Sequence, residues 1–159
     1  MSSSATSAET TTAGAGLVLF AYDGSDLAKL AIEEAGRQLP RGREALVLTV
    51  WQPADVGFVP AGKLHFNAAQ ASEVKKAAEE TAAHGAELAE KAGFRAQSMA
   101  AESAPTWQGI TKVADERDAD LIVLGSHGRH GLAGRVFGSV ASAVAGRCTQ
   151  SVLIVHRRP

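Results

Sequence analysis

Residues 120–140 read DLIVLGSHGRHGLAGRVFGSV, and the reading of this stretch decides the fold. It opens on Leu121-Ile122-Val123-Leu124, a continuous apolar run of the length expected for a strand buried on both faces; alternation would mark a strand with one wet face. It closes on the start of a helix-length segment, residues 139–145, for which Ser139 is the expected N-cap. Between them stand Gly125, Gly128 and Gly138. The predicted order is strand, long glycine-bearing loop, helix. Glycine at 125 and 128 permits positive φ and lets a ligand approach the backbone, while a helix N-terminus leaves unbonded N–H groups and a partial positive charge. These are the parts of a phosphate cradle, and Arg129, His130 and Arg135 add cationic character around it. A strand-to-helix turn with two or three glycines is, on that count alone, more often a plain connection.

Upstream, Leu17-Val18-Leu19-Phe20-Ala21 is a second continuous apolar run, ended by the turn signal Asp23-Gly24-Ser25. A first strand and a helix over residues 26–39, capped by Ser25, follow from it. In that helix Ala28, Ala31, Ile32, Ala35 and Leu39 make one stripe. Leu27 and Leu30 fall outside it, which requires a broad apolar face or a covering partner. Residues 45–51 form the second strand. Residues 52–66, broken by Pro53, Gly57, Pro60 and Gly62, form a loop, and the longest helix spans 67–92 with a small-residue face stopped by Gly93. In residues 94–101, Phe94, Ala96, Ser98 and Ala100 alternate with Arg95 and Gln97, as an edge strand does. A helix over 105–117 carries Pro105 in its first turn and a buried stripe of Trp107, Ile110 and Ala114. Residues 151–156 make a fifth strand. Strands and helices alternating in this way imply an α/β fold, with parallel strands, right-handed crossovers and helices on both faces of one sheet.

At 159 residues the chain suits one domain, assigned to residues 16–159 behind a disordered Ser/Thr/Ala/Gly tail over 1–15. Sixteen basic against seventeen acidic residues give a net charge of −1, so neither nucleic acid nor a membrane surface is an expected partner. No apolar run approaches the ~18–20 residues of a membrane span. The single cysteine, Cys148, excludes an intrachain disulfide and reads as small apolar filler in a reducing compartment. No G-x-x-x-x-G-K-[ST] motif is present, and Gly14-Ala15-Gly16 precedes a strand where a dinucleotide fingerprint would follow one. His127 and His130 have neither flanking Cys nor an H-E-x-x-H pattern, so they are weak metal ligands. Ser126 beside His127 is set aside as a nucleophile and base, because adjacent side chains diverge and no G-x-S-x-G elbow exists. No catalytic residue is assigned.

The longer spacing, G-2x-G-9x-G-S over Gly125, Gly128, Gly138 and Ser139, resembles the signature of the universal stress protein family in its ATP-binding branch. Tyr22-Asp23-Gly24-Ser25, Leu48-Thr49-Val50 and Val152-Leu153-Ile154-Val155 look like further landmarks of that family, so the likeness covers residues 17–156. One departure is Ser103, where the family usually has glycine two residues before Pro105. The resemblance implies an open five-stranded parallel sheet in the order 3-2-1-4-5, adenine nucleotide alpha hydrolase-like, with the first and fourth strands meeting at the switch point. It implies a site in which backbone at Ala21 and Val50 frames adenine and Asp23 lies beside ribose or a bridging cation. The loop carrying Gly125, Ser126, His127, Gly128, Arg129 and Gly131 would wrap ribose and phosphates, and Gly138, Ser139 and Val140 would face the phosphate chain. The implied ligand is ATP, with or without Mg²⁺. The implied setting is a cytoplasmic homodimer joined through Val152, Leu153, Ile154 and Val155, acting as a nucleotide-dependent stress sensor or regulator. Two alternatives stay open: a weak ATP hydrolase or phosphotransferase using Asp23 and a cation, and an interaction protein taking cyclic AMP or no nucleotide.

Overall fold

A computed structural model describes residues 16–53, 68–128 and 137–158 of the protein. The tail over 1–15, most of the loop over 52–66, and Arg129, His130, Gly131 and Arg135 lie outside the described residues. Strand and helix alternate as β1 Leu17–Ala21, α1 Asp26–Gln38, β2 Glu44–Trp51, α2 Ala68–Lys91, β3 Arg95–Glu102, α3 Thr106–Glu116, β4 Ala119–Gly125, α4 Ser139–Arg147 and β5 Ser151–Val155. All four strand pairings are parallel and the order is β3-β2-β1-β4-β5, as expected.

The continuous apolar runs sit at the centre of the sheet because only there are both faces covered. Val18 and Phe20 of β1 join Val47 and Val123 beneath Ala28, Ala31, Ile32 and Ala35 of α1 and Ala89 of α2. The alternate residues Leu19, Leu46, Leu48, Ile122 and Leu124 meet Ile110, Val113 and Ala114 of α3 and Ala141 and Val144 of α4 on the other face. Two helices therefore cover each side. The apolar face of α1 is broad: Leu27 is buried with the expected stripe, and Leu30 packs partly buried against the same core. Ser25 caps this helix, its hydroxyl accepting from the Ala28 N–H at 3.2 Å. Leu39, expected within the helix, is its extended C-cap residue.

Glycines let α2 lie close. A β-carbon at Gly85 would stand 2.6 Å from Tyr22 Cδ1 and 2.7 Å from Val47 Cγ1, and one at Gly36 of α1 would stand 2.7 Å from the Ala92 carbonyl oxygen.

Four local expectations are corrected. Pro105 is extended and acts as the N-cap of α3, so it precedes the first turn. Trp107 is half-buried at the margin of the α3 face, whose centre is Gly109, Ile110, Val113 and Ala114, and Arg147 of α4 lies 4.6 Å from its ring centroid. Gly138, not Ser139, is the N-cap of α4, and no side chain caps that end. In β3, Ser98 is exposed although its alternation sets it on the face of Phe94, Ala96 and Ala100.

At the amino ends of the strands, Asp120 accepts from the Gly16 N–H at 3.0 Å and from Arg43 at 2.8 Å, while Arg43 also donates to the Gly16 carbonyl at 2.8 Å. This clasp fixes where β1 enters the sheet. Among the described residues no helix is long and apolar enough to cross a membrane.

Candidate functional site

The site lies outside the carboxyl ends of β1, β2 and β4, where the connections of the two central strands diverge. At the end of β1, the Tyr22 N–H donates to the Leu48 carbonyl at 2.9 Å and the Thr49 hydroxyl donates to the Tyr22 carbonyl at 2.8 Å. These bonds carry the β1–β2 pairing one residue past the strand, so that Asp23 emerges at the rim. There Asp23 Oδ1 accepts from the Ser25 N–H at 3.0 Å, and Gly24, at φ +82°, makes the turn that aspartate and glycine favour.

At the end of β4 the Ser126 N–H donates to the Val155 carbonyl of β5 at 2.8 Å, and the Gly138 N–H donates to the Ser126 carbonyl at 2.6 Å. The glycine-bearing loop is thus pinched at its neck, Ser126 against Gly138. The first helical bond of α4 runs from the Ser142 N–H to the Gly138 carbonyl at 3.0 Å. By helix geometry the N–H groups of Ser139, Val140 and Ala141 have no acceptor within the helix.

One cavity of about 250 Å³ joins these features. Of the residues singled out by sequence, Ala21, Asp23, Val50, Gly125, Ser126, His127, Gly128, Gly138, Ser139 and Val140 all line it; Arg129 and Gly131 lie outside the described residues. Sequence reasoning missed Tyr22, Ala28, Leu48, Thr106, Ile110, Leu124 and Ala141, which also line it. The signal for two of these was present. Leu124 is the last apolar residue before the end of β4, and Leu48 lies within the Leu48-Thr49-Val50 run near the end of β2, strands that the topology turns toward the switch point. Thr106 and Ile110 carried no such signal, since only the packing of α3 brings them there.

Glycine works here by closeness. Gly24, Gly42 and Gly93 are the described glycines with positive φ; Gly125 and Gly128, which could have adopted it, do not, nor does Gly138. A β-carbon at Gly128 would lie 2.7 Å from Asp23 Oδ2, at Gly125 2.9 Å from Leu27 Cγ, and at Gly138 3.1 Å from the Ser126 carbonyl oxygen. The three positions are bare because β4 abuts α1, the neck is tight, and the Asp23 carboxylate sits against the loop.

Ser126 and His127 were expected to diverge, and they do not. The bend after Gly125 brings Ser126 Oγ within 3.1 Å of His127 Nδ1, with Ser126 2% exposed. His127 Nε2 is buried without a hydrogen-bond partner. The pair braces the loop neck. Among the described residues no cluster of three or more His, Cys, Asp or Glu is arranged to hold a metal. Tyr22 closes the α2 side: its hydroxyl lies 3.2 Å from His84 Nδ1, and burial, with the neighbouring Asp23 carboxylate adding, raises its ionisation above the usual phenol value.

The cavity therefore has two chemistries. Leu48, Val50, Ile110 and Leu124 give an apolar wall, and the free N–H groups at the start of α4 give an end that attracts an anion.

The profile of the Universal stress protein family matches residues 16–156. The universal stress protein YxiE of Bacillus subtilis is 33% identical over 149 residues, covering 87% of this chain and 97% of that one. Among solved structures, MJ0577 of Methanocaldococcus jannaschii shares the fold, with a TM-score of 0.75 and 22% identity over 91% of this chain and 97% of that one. A universal stress protein in complex with cAMP has a TM-score of 0.60 and 26% identity, covering 89% of this chain and 96% of that one.

Proposed function

Because the chain belongs to the universal stress protein family, we propose that it is an adenine-nucleotide-binding sensor or regulator whose ligand is ATP. The observation that carries this reading is the cavity that joins an apolar slot at the ends of β1, β2 and β4 to the N–H groups at the start of α4. A flat base fits between Val50, Ile110 and Leu124, and a phosphate chain reaches Ser139, Val140 and Ala141. A carboxylate repels a phosphate, so Asp23 serves ribose hydroxyls or a bridging Mg²⁺. The contact of Ser126 Oγ with His127 Nδ1 at 3.1 Å is assigned to bracing the loop neck, and the reading is of retention with signalling rather than turnover.

Cyclic AMP is the second reading, favoured by the 26% identical universal stress protein in complex with cAMP. It places the same base in the same slot with one phosphate at α4.

The two edges of the sheet differ in side-chain character. β3 exposes Arg95, Gln97, Ser98 and Glu102, the polar protection natural edges carry. β5, Ser151–Val155, has no charge and no proline, and Val152, Leu153 and Ile154 are half-buried. We propose that a second copy covers it.

The test is to denature the purified protein and identify released nucleotide by mass spectrometry, then to melt it with Mg²⁺-ATP or cyclic AMP. At ~100 times its dissociation constant a ligand of the native state adds about 2.7 kcal/mol, which for a domain of this size raises Tm by roughly 5–10 °C. A folded Gly128→Val, Gly138→Val double variant loses that shift. Absence of released nucleotide, with no shift from either ligand, overturns the reading.

A further inference from the structure

We propose that Phe137 ties the pairing edge to the cavity, so that a ligand in the cavity and a second copy on β5 strengthen each other's binding. The inference rests on the nucleotide reading and the β5 pairing given above, and adds a linkage between them.

Phe137 is 40% exposed, the large apolar side chain left to solvent among the described residues. It stands immediately before Gly138, the N-cap that begins the anion-attracting end of the cavity. Its ring lies against that of His156, with centroids 5.4 Å apart and planes at 39°. His156 in turn follows Val155, the residue whose carbonyl accepts from the Ser126 N–H at 2.8 Å, and the Ser126 carbonyl accepts from the Gly138 N–H at 2.6 Å. A closed circuit results: Val155 to Ser126, Ser126 to Gly138, Gly138 to Phe137, and Phe137 back to His156 beside Val155. Two members of that circuit, Ser126 and Gly138, line the cavity. Val155 and His156 stand at the end of the edge strand, and the Phe137 ring lies against His156.

A second copy is the occupant that fits this edge. A strand edge related to itself by a two-fold axis pairs antiparallel with matched donors and acceptors, and no charged side chain within Ser151–Val155 opposes it. His156 continues the chain past Val155, the last strand residue, and brings the Phe137 ring to that end of the edge. An antiparallel copy would then set this ring pair beside the beginning of the other β5. An anion held by Ser139, Val140 and Ala141 fixes Gly138, and through it the position of the Phe137 ring; an interface formed on that ring fixes Gly138 in return. Linkage makes the two effects equal in free energy.

The experiment is sedimentation equilibrium of the full chain with and without saturating Mg²⁺-ATP, with ATP affinity measured in parallel by calorimetry. For the wild type the dimer dissociation constant falls at least ~5-fold with nucleotide, the lower end of ordinary couplings. In Phe137→Ala and in His156→Ala the fall is abolished, while each dilute monomer binds ATP as the wild type does. Binding of ATP with an unchanged dimer constant overturns the linkage and leaves the nucleotide reading standing. An undiminished fall in both variants removes Phe137 from it. If ATP does not bind at all, or no dimer forms at any concentration, the reading beneath the proposal fails and the proposal with it.

Discussion

Tyr22 sits where β1 gives out, buried beneath α2, with its hydroxyl on His84 and its backbone held between Leu48 and Thr49. As the chain's one tyrosine it can be followed without interference. Its ionisation is raised in the fold, chiefly by burial and further by Asp23. The unfolded chain therefore gives up this proton first, and holds fewer protons than the native state once pH passes the ordinary phenol value of about 10. Tyr22 thus supports stability fully below about pH 10 and loses that contribution as pH climbs toward its native value. Urea midpoints of the wild type and Tyr22→Phe, compared from neutral pH to about pH 11, should show the wild type losing ground faster; parallel profiles would remove burial as the cause. At this scale the sequence carried residue identity better than residue geometry. Gly125, Gly128 and Gly138 were legible as a motif, but glycine answers equally to positive φ and to close approach, and only packing tells which is required. Ser126 and His127 were misread for a related reason: the rule that adjacent side chains diverge holds on a strand and fails at a bend.

Elements are where glycine becomes a packing device. α2 reaches β2 through Gly85, with Tyr22 and Val47 against its bare α-carbon. Gly85→Val puts two methyl groups where even one β-carbon has no room. Helix propensity favours the change by only ~0.3 kcal/mol, whereas crowding a packed core costs about 1–3 kcal/mol. The expected result is a lower urea midpoint with an unchanged slope; an equal or higher midpoint would show that α2 can retreat from the sheet. Helix and strand positions were readable because period and turn residues are local. Ends were less so. α4 starts from Gly138 because its N–H is taken by the Ser126 carbonyl across the loop neck, a contact between residues that no local pattern relates. Trp107 moved from core to margin because α3 centres its buried face on Ile110 and Val113, and the ring then finds Arg147 of the neighbouring helix.

For the whole molecule, alternation of strand and helix was enough to announce a parallel sheet, while the order β3-β2-β1-β4-β5 came from likeness of motifs and not from alternation, which permits several orders. The quaternary expectation belongs at this scale too. Ile154→Lys places a charge in the middle of the uncharged β5 edge, and should leave a folded monomer by sedimentation with the monomer's nucleotide affinity retained; dimers that persist would mean that the molecule associates by another surface. The clasp of Gly16, Arg43 and Asp120 bears on how the molecule comes into being. Gly16 and Asp120 are 104 residues apart, so on the ribosome the first strand emerges with one flank bare until the fourth arrives. At ~5–20 residues per second that interval is about 5–20 s. For that time a wholly apolar ribbon waits for its neighbour, and the nascent chain offers chaperones a binding segment that the finished protein hides.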